Sequence, residues 1–372
     1  MTTPRPFTIH VPDAELADLR ARLERFRPLP DSPRRPASGM SAGYLADLIQ
    51  SWREWHWRER EAWLNRHPQF VADMGDSTVH FAHLRSERED APALLVMHGW
   101  PHTFALQLDF ADLLPDFHVV VPSLPGFAYS SAYAEGPVTE TRLAETMHAL
   151  MTDVLGYERY LTYGEDVSAN VNDLLAATRG DAVMGVVATH AHFPSRAERE
   201  ELTDAEERRF FARLAADHDA HGAYGHVQAT RPDTLAAALN DSPAGLLAWI
   251  TEKLVEWGDV PAGDPRAVEQ RLSRERILTE AMIYWTTQSI GTSFRPYYEG
   301  GDQPDAIPPV EVPAAAFIQR HEADYPESIA RRFYRDLRTF ERLEEGGHFA
   351  VAEVPDSMAE RVRSFARALG VL

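Results

Sequence analysis

The 372-residue sequence contains no cysteine. That excludes disulfides, thiolate catalysis and cysteine-ligated zinc or iron–sulfur centres, and it fits a reducing compartment. It also lacks any apolar run near the roughly 20 residues a membrane-spanning helix requires. Its opening, MTTPRPFTIHVPDAEL, has no apolar core of a secretory signal, so a soluble, cytoplasmic protein with no membrane partner is expected. Positive charge is scarce: 37 Lys and Arg stand against 57 Asp and Glu, for a net charge of -20. Such a surface repels nucleic acid and anionic lipid, which excludes nucleic acid as a partner and favours solubility. What the chain does have is 44% hydrophobic residues, enough for a sizeable core.

The apolar residues are patterned. Leu16, Leu19, Leu23 and Phe26 recur at helical spacing over residues 13–27, with Asp13 as N-cap. The Pro-rich stretch RPLPDSPRRPAS then reads as an extended surface arm. A second helix starts near Tyr44, and its Trp52, Trp55, Trp57 and Trp63 read as packing residues. TVHFAHL at 78–84 alternates as a strand does, whereas ALLVM at 93–97 is apolar throughout, as a strand covered on both faces must be. Strands at 118–121, 160–163 and 183–188 and helices at 141–155 and 168–178 continue the alternation, which predicts a parallel sheet. Residues 195–285 contain no good buried strand and predict a helical lid. A strand at 314–318 and a helix at 357–369 close the chain, and no internal repeat is visible.

Three motifs carry chemistry. In LTYGEDVS a strand turns sharply into a helix at Asp166, with the small residues Gly164 and Ser168 two positions either side. A nucleophile at the apex of such a turn needs small flanks to avoid a clash. With Asp at the apex, the carboxylate attacks carbon and forms an alkyl ester that water then hydrolyses. An acidic helix N-cap is the alternative reading of these residues. HGWP at 98–101, directly after ALLVM, is where one oxyanion-hole amide is expected, that of Trp100; the amide of Val167 would supply the other. GGHFA, with His348, comes late in the chain, where an α/β-hydrolase fold places its base.

Taken together, these motifs resemble the microsomal-type epoxide hydrolases, including the juvenile hormone epoxide hydrolases. PFTIHVPDAELADLRARL, WREWHWREREAWLNRHPQF, HGWP, PSLPGF, GEDVS, NDSPAGLLAWITEK, YWTT and GGHFA follow one another in that family's order over almost the whole length. The resemblance implies an α/β-hydrolase fold: a mostly parallel central sheet, a helical cap and an N-terminal wrapping arm. Its divisions fall at 1–85 (N-terminal segment), 86–194 (first part of the core), 195–290 (cap) and 291–372 (second part of the core). It implies Asp166 as nucleophile, His348 as base and Glu322 as acid, with Asp324 as the rival for that last role. Tyr224 and Tyr297 match the cap tyrosines that donate to the epoxide oxygen, and Tyr298 is adjacent to the second. His98, Pro101, Phe127 and His192 are expected to contact substrate. The implied substrates are a bulky apolar epoxide and water, with no cofactor or metal. A homodimer is the default for a soluble oligomer.

The chain departs from the family at the elbow. The usual Gly-Gly-Asp-Trp-Gly is here Gly164-Glu165-Asp166-Val167-Ser168. Val167 for Trp is expected to widen the pocket. Glu165, if it faced the site, would raise the nucleophile's pKa by like-charge repulsion, but strand alternation points it elsewhere. Thr189-His190-Ala191-His192 replaces a more usual His-Leu-Asn run. Two other functions compete: a carboxylate-nucleophile dehalogenase, which needs halide donors that Val167 does not supply, and a non-catalytic small-molecule receptor.

Overall fold

The computed structural model describes residues 3–31, 39–261, 263–300 and 306–372. Nine strands form one sheet: β1 (Arg5–Phe7), β2 (Gln69–Asp73), β3 (Thr78–Leu84), β4 (Ala93–Met97), β5 (His118–Pro122), β6 (Tyr160–Gly164), β7 (Val183–Ala188), β8 (Val310–Ile318) and β9 (Tyr334–Arg342). Their order is β1-β2-β3-β5-β4-β6-β7-β8-β9. From β5 to β9 every neighbouring pair is parallel, and the β1–β2, β2–β3 and β3–β5 pairs are antiparallel.

The centre follows from side-chain covering. Every residue of β4, β5 and β6 is buried, because helices lie on both faces. Helices Glu140–Ala149 and Val167–Thr178 pack together on the sheet. The last helix, Pro355–Ala368, comes close to β7 at Gly185, where a Cβ would lie 3.0 Å from Leu369 and 3.1 Å from Phe365.

The N-terminal segment lengthens the antiparallel edge. It contributes β1 and β2, two strands that the apolar pattern did not reveal, and its helices Ala42–Glu54 and Trp57–Asn65 bury Trp52 and Trp57. The Arg60 guanidinium stacks 3.6 Å over Trp63. Most of the Pro-rich arm, residues 32–38, lies outside the described residues; the part before it, 27–31, is exposed.

Between β7 and β8 the described residues are helical or looped. Helices run from Arg196 to Glu299, past residue 290, so the stretch that carries Tyr297 is helical too. No helix among the described residues is long and apolar enough to cross a membrane.

The parallel strands all point the same way. The loops at the carboxyl ends of β4, β6, β7, β8 and β9 therefore gather along one edge, beneath the helical insertion, which is where open α/β sheets bind ligands.

Candidate active site

At the end of β6 the chain reverses over a single residue. Asp166 has φ 52° and ψ -121°, a conformation that few non-glycine residues adopt. Gly164 permits it: a Cβ there would come 2.3 Å from the Ser168 carbonyl oxygen. Ser168 ties the turn down, its Oγ accepting from the Glu165 amide at 3.0 Å and lying 3.1 Å from the Met97 carbonyl at the end of β4. Asp166 thus stands exposed to the cavity at the amino end of helix Val167–Thr178, where the helix dipole favours an anion.

The loop after β4 closes over it. The Trp100 amide donates to Asp166 Oδ1 at 2.8 Å. Gly99 must lack a side chain, since a Cβ there would lie 2.4 Å from Asp166 Cβ. No hydrogen bond from the Val167 amide to this carboxylate accompanies that of Trp100. His98 holds the loop from behind: its Nδ1 donates to the Gly99 carbonyl at 2.9 Å, and its Nε2 accepts from the Leu124 amide at 3.1 Å. Burial pushes its pKa down to about 3, so it is a neutral structural histidine. Pro101 follows a cis peptide bond and is buried; Phe127 packs edge-on against His98 at 5.2 Å. These three were expected to touch substrate. They instead shape the loop from the protein side, and none of them lines the cavity.

On the opposite loop, Gly346 adopts φ 99°, and a Cβ on Gly347 would lie 2.6 Å from the Trp257 carbonyl oxygen. His348 is held there by its own amide, which donates to that carbonyl at 2.9 Å. Its Nε2 lies 3.2 Å from Asp166 Oδ2, though not aligned as a hydrogen bond. Burial raises the Asp166 pKa, but the His348 contacts and the Trp100 amide more than offset this and hold it at about 2. The same pairing raises His348 against the burial that would lower it.

The partner of His348 Nδ1 differs from expectation. It is His190, after β7, with Nε2 at 3.0 Å. Burial drives the His190 pKa well below the usual value, so His190 is neutral and accepts the Nδ1 proton. Glu322 lies on the short turn Arg320–Glu322 after β8 and lines the same cavity as His348. Its Oε2 is buried without a hydrogen-bond partner, and burial pushes its carboxyl up to about 7. Asp324 is engaged elsewhere, in a two-pronged ion pair with Arg213 at 2.7 and 2.6 Å on the surface. Of the two acids the sequence left open, only Glu322 faces the cavity.

The helical insertion supplies the fourth wall. Tyr224 and Tyr297 meet with ring centroids 6.1 Å apart, and Trp100 stacks on Tyr224 at 5.4 Å and 8°. Both phenols are held protonated, by burial first and then by the Asp166 charge. Tyr298 is 58% exposed and turned away. The chain's one lysine, Lys253, is buried 4.9 Å over the Tyr224 ring, paired with Glu252 and Glu256.

Two cavities meet at Asp166 and Tyr224. The larger, about 1090 Å³, runs past Phe193, Leu214 and Trp257; the smaller, about 500 Å³, lies beyond Val167 and Tyr297. His192 is in neither. It stacks on Phe333 at 3.5 Å with Nδ1 3.5 Å from Asp173, which corrects the expectation that it contacts substrate. Glu165 is fully buried and faces away from the cavity. Sequence reading missed the roles of His190 and Trp257. His190 stood in a quoted motif, and its place after a central strand was the available signal. Among the described residues no cluster of His, Asp and Glu is arranged to hold a metal ion.

Comparison with known proteins gives a consistent result. A sequence profile for the epoxide hydrolase N terminus matches residues 4–106. A putative epoxide hydrolase of Stigmatella aurantiaca is 33% identical over 98% of this chain and 85% of its own length. The structure of Aspergillus niger epoxide hydrolase superposes with a TM-score of 0.85 at 30% identity, covering 99% of this chain and 97% of that one. The juvenile hormone epoxide hydrolase of Bombyx mori gives a TM-score of 0.89 at 26% identity, covering 100% and 95%.

Proposed function

The chain belongs to the epoxide hydrolase family, and from that premise we propose that it opens an epoxide to a vicinal diol through an ester on Asp166. The observation that carries this reading is the asymmetry of the carboxylate. Oδ1 is occupied by the Trp100 amide, and Oδ2 is turned toward the cavity and His348. Oδ2 attacks a ring carbon as the carbon–oxygen bond breaks. The alkoxide takes a proton from Tyr224 or Tyr297, whose hydroxyls remain protonated at neutral pH. Water then adds to the ester carbonyl and gives its proton to His348 Nε2. Oδ1 becomes the oxyanion and rests on the Trp100 amide; such a donor is worth about 3 to 4 kcal/mol. Collapse expels the diol, protonated by the imidazolium, and leaves Asp166 as the acid, whose proton returns to the tyrosinate and restores both groups. Its first-turnover diol carries one oxygen from Asp166.

Esterification also switches the base. While Asp166 is charged it favours protonated His348. Once it is a neutral ester, that attraction is gone and the imidazole releases its proton more readily.

The two-lobed cavity supports an apolar epoxide substituted on both ring carbons, with one substituent in each lobe. A haloalkane would need an N–H donor for the departing halide, and Val167 offers no side-chain donor. A single turnover in ¹⁸O-water tests the mechanism. Diol free of label on the first turnover, with label in Asp166, is expected. Label in the first diol, with Asp166→Asn still active, would refute it.

A further inference from the structure

His348 stands on a loop that the end of the cap helix Pro243–Trp257 holds from one side. Three backbone amides of this loop are bonded there. The His348 amide donates to the Trp257 carbonyl at 2.9 Å, and the Gly346 amide donates to Asp259 Oδ2 at 3.1 Å. The Phe349 amide donates to Glu353 Oε1 at 3.1 Å, and Glu353 Oε2 accepts from the Asp259 amide at 2.7 Å. The bonding is reciprocal: a side chain from the cap end accepts from the base loop, and a side chain following the base loop accepts from the cap end. Gly347 lies between them, where a Cβ would come 2.6 Å from the Asp259 amide nitrogen. Asp259 is fixed in turn by Arg271 at 3.2 Å and Arg320 at 2.8 Å. The same short segment carries Trp257, whose ring centroid is 4.9 Å from that of His348 and 5.0 Å from that of Tyr224. Neither Asp259 nor Glu353 lines the two cavities that meet at Asp166.

We propose that Asp259 and Glu353 are positioning residues for ester hydrolysis: they fasten the base loop to the cap end and so set where His348 Nε2 stands against the ester. This rests on the reading of His348 as the base given above. The loop needs such fastening because two glycines precede the histidine, and glycine leaves the backbone free to wander. A buried amide left without its acceptor also costs free energy, so each lost bond favours a displaced loop. The two steps differ in how much they feel that displacement. Attack by Asp166 takes no proton from His348. Hydrolysis needs the imidazole within hydrogen-bond reach of the attacking water, and a shift of about 1 Å is enough to spoil such a transfer.

The test follows ester formation and decay by rapid quench and intact-protein mass spectrometry, with a 1,2-disubstituted epoxide. Asp259→Ala leaves the Gly346 amide without its acceptor. Formation is expected to change little and decay to slow about tenfold, so that ester accumulates. Asp259→Asn keeps one oxygen for the Gly346 amide and gives up only the bond to Arg320, whose side chain is 58% exposed. It is expected to recover most of the loss. Glu353→Gln can accept from only one of its two amides and is expected to slow decay as well. Parental decay in Asp259→Ala, or an equal fall in both steps, overturns the proposal, and so does an Asp259→Asn as slow as Asp259→Ala. If Asp259→Ala does not fold, parental decay in Glu353→Gln overturns it. An ester that still decays at the parental rate in His348→Gln would instead overturn the reading of His348 as the base.

Discussion

Replacing Glu322 by Gln should make the protein more stable and less active, and the stability gain should depend on pH. Burial holds the Glu322 carboxyl at about 7 rather than its usual 4.5. In the unfolded chain the group ionises near 4.5, so between these values the folded state binds the extra proton. Stability therefore falls as pH rises from 4.5 to 7, and the deficit is complete above 7. Its ceiling is about 3 kcal/mol, reduced because the residue keeps some contact with water at the cavity. Glutamine has no charge to bury. Denaturation midpoints of the two proteins should coincide near pH 4.5 and separate by a few degrees at pH 8, with the variant higher. Decay of the alkyl-enzyme should slow in the same variant, because a negative charge that assists His348 is gone. A midpoint difference that is the same at both pH values, or a variant that is less stable at pH 8, would sink the argument.

Three further outcomes are expected. Tyr224→Phe and Tyr297→Phe should each lower the rate of ester formation about 100-fold, leaving ester decay nearly unchanged, since the lost proton serves only the departing alkoxide; stopped-flow and quench measurements separate the steps. Val167→Trp should fill the smaller lobe, raising KM for epoxides substituted on both carbons far more than for terminal ones, as read from kcat and KM on a matched pair. Lowering pH to 5 should raise the steady-state fraction of ester, because Asp166, held at about 2, stays charged and still attacks, while pH 5 lies below the ordinary imidazole pKa of about 6.5 and keeps the water-activating base protonated even in the ester; mass spectrometry of the quenched enzyme reads this directly.

The centre of the sheet was legible because its covering is written in the residues. ALLVM and VMGVVA are apolar runs that fit burial on both faces, and the strands lie where those runs are. The edges were not. β1 has three residues, and β9, YRDLRTFER, carries five charges because much of it faces water. The elbow was legible because Gly164 is sterically required before Asp166 and a small hydroxyl residue, Ser168, ties the turn after it. The errors concern histidines. His98 and His192 were expected at the substrate, and both are spent on backbone or buried partners. His190 went unassigned, and it holds His348. A buried histidine bonded to main chain and one facing a cavity have the same letter and similar apolar neighbours. Only the strand register decides between them.

That register explains why His348 can take two partners. β7, β8 and β9 are adjacent and parallel, so the loops that carry His190, Glu322 and His348 leave the sheet side by side. A neutral His190 on Nδ1 orients the ring without adding charge, which suits the first step, when Asp166 supplies the negative charge on the other nitrogen. During hydrolysis Asp166 is an ester, and the imidazolium must be balanced from elsewhere. Glu322, which titrates near neutrality and has a free oxygen at the same cavity, is placed to share in that balance. A carboxylate fixed permanently on Nδ1 would favour the protonated base at every stage.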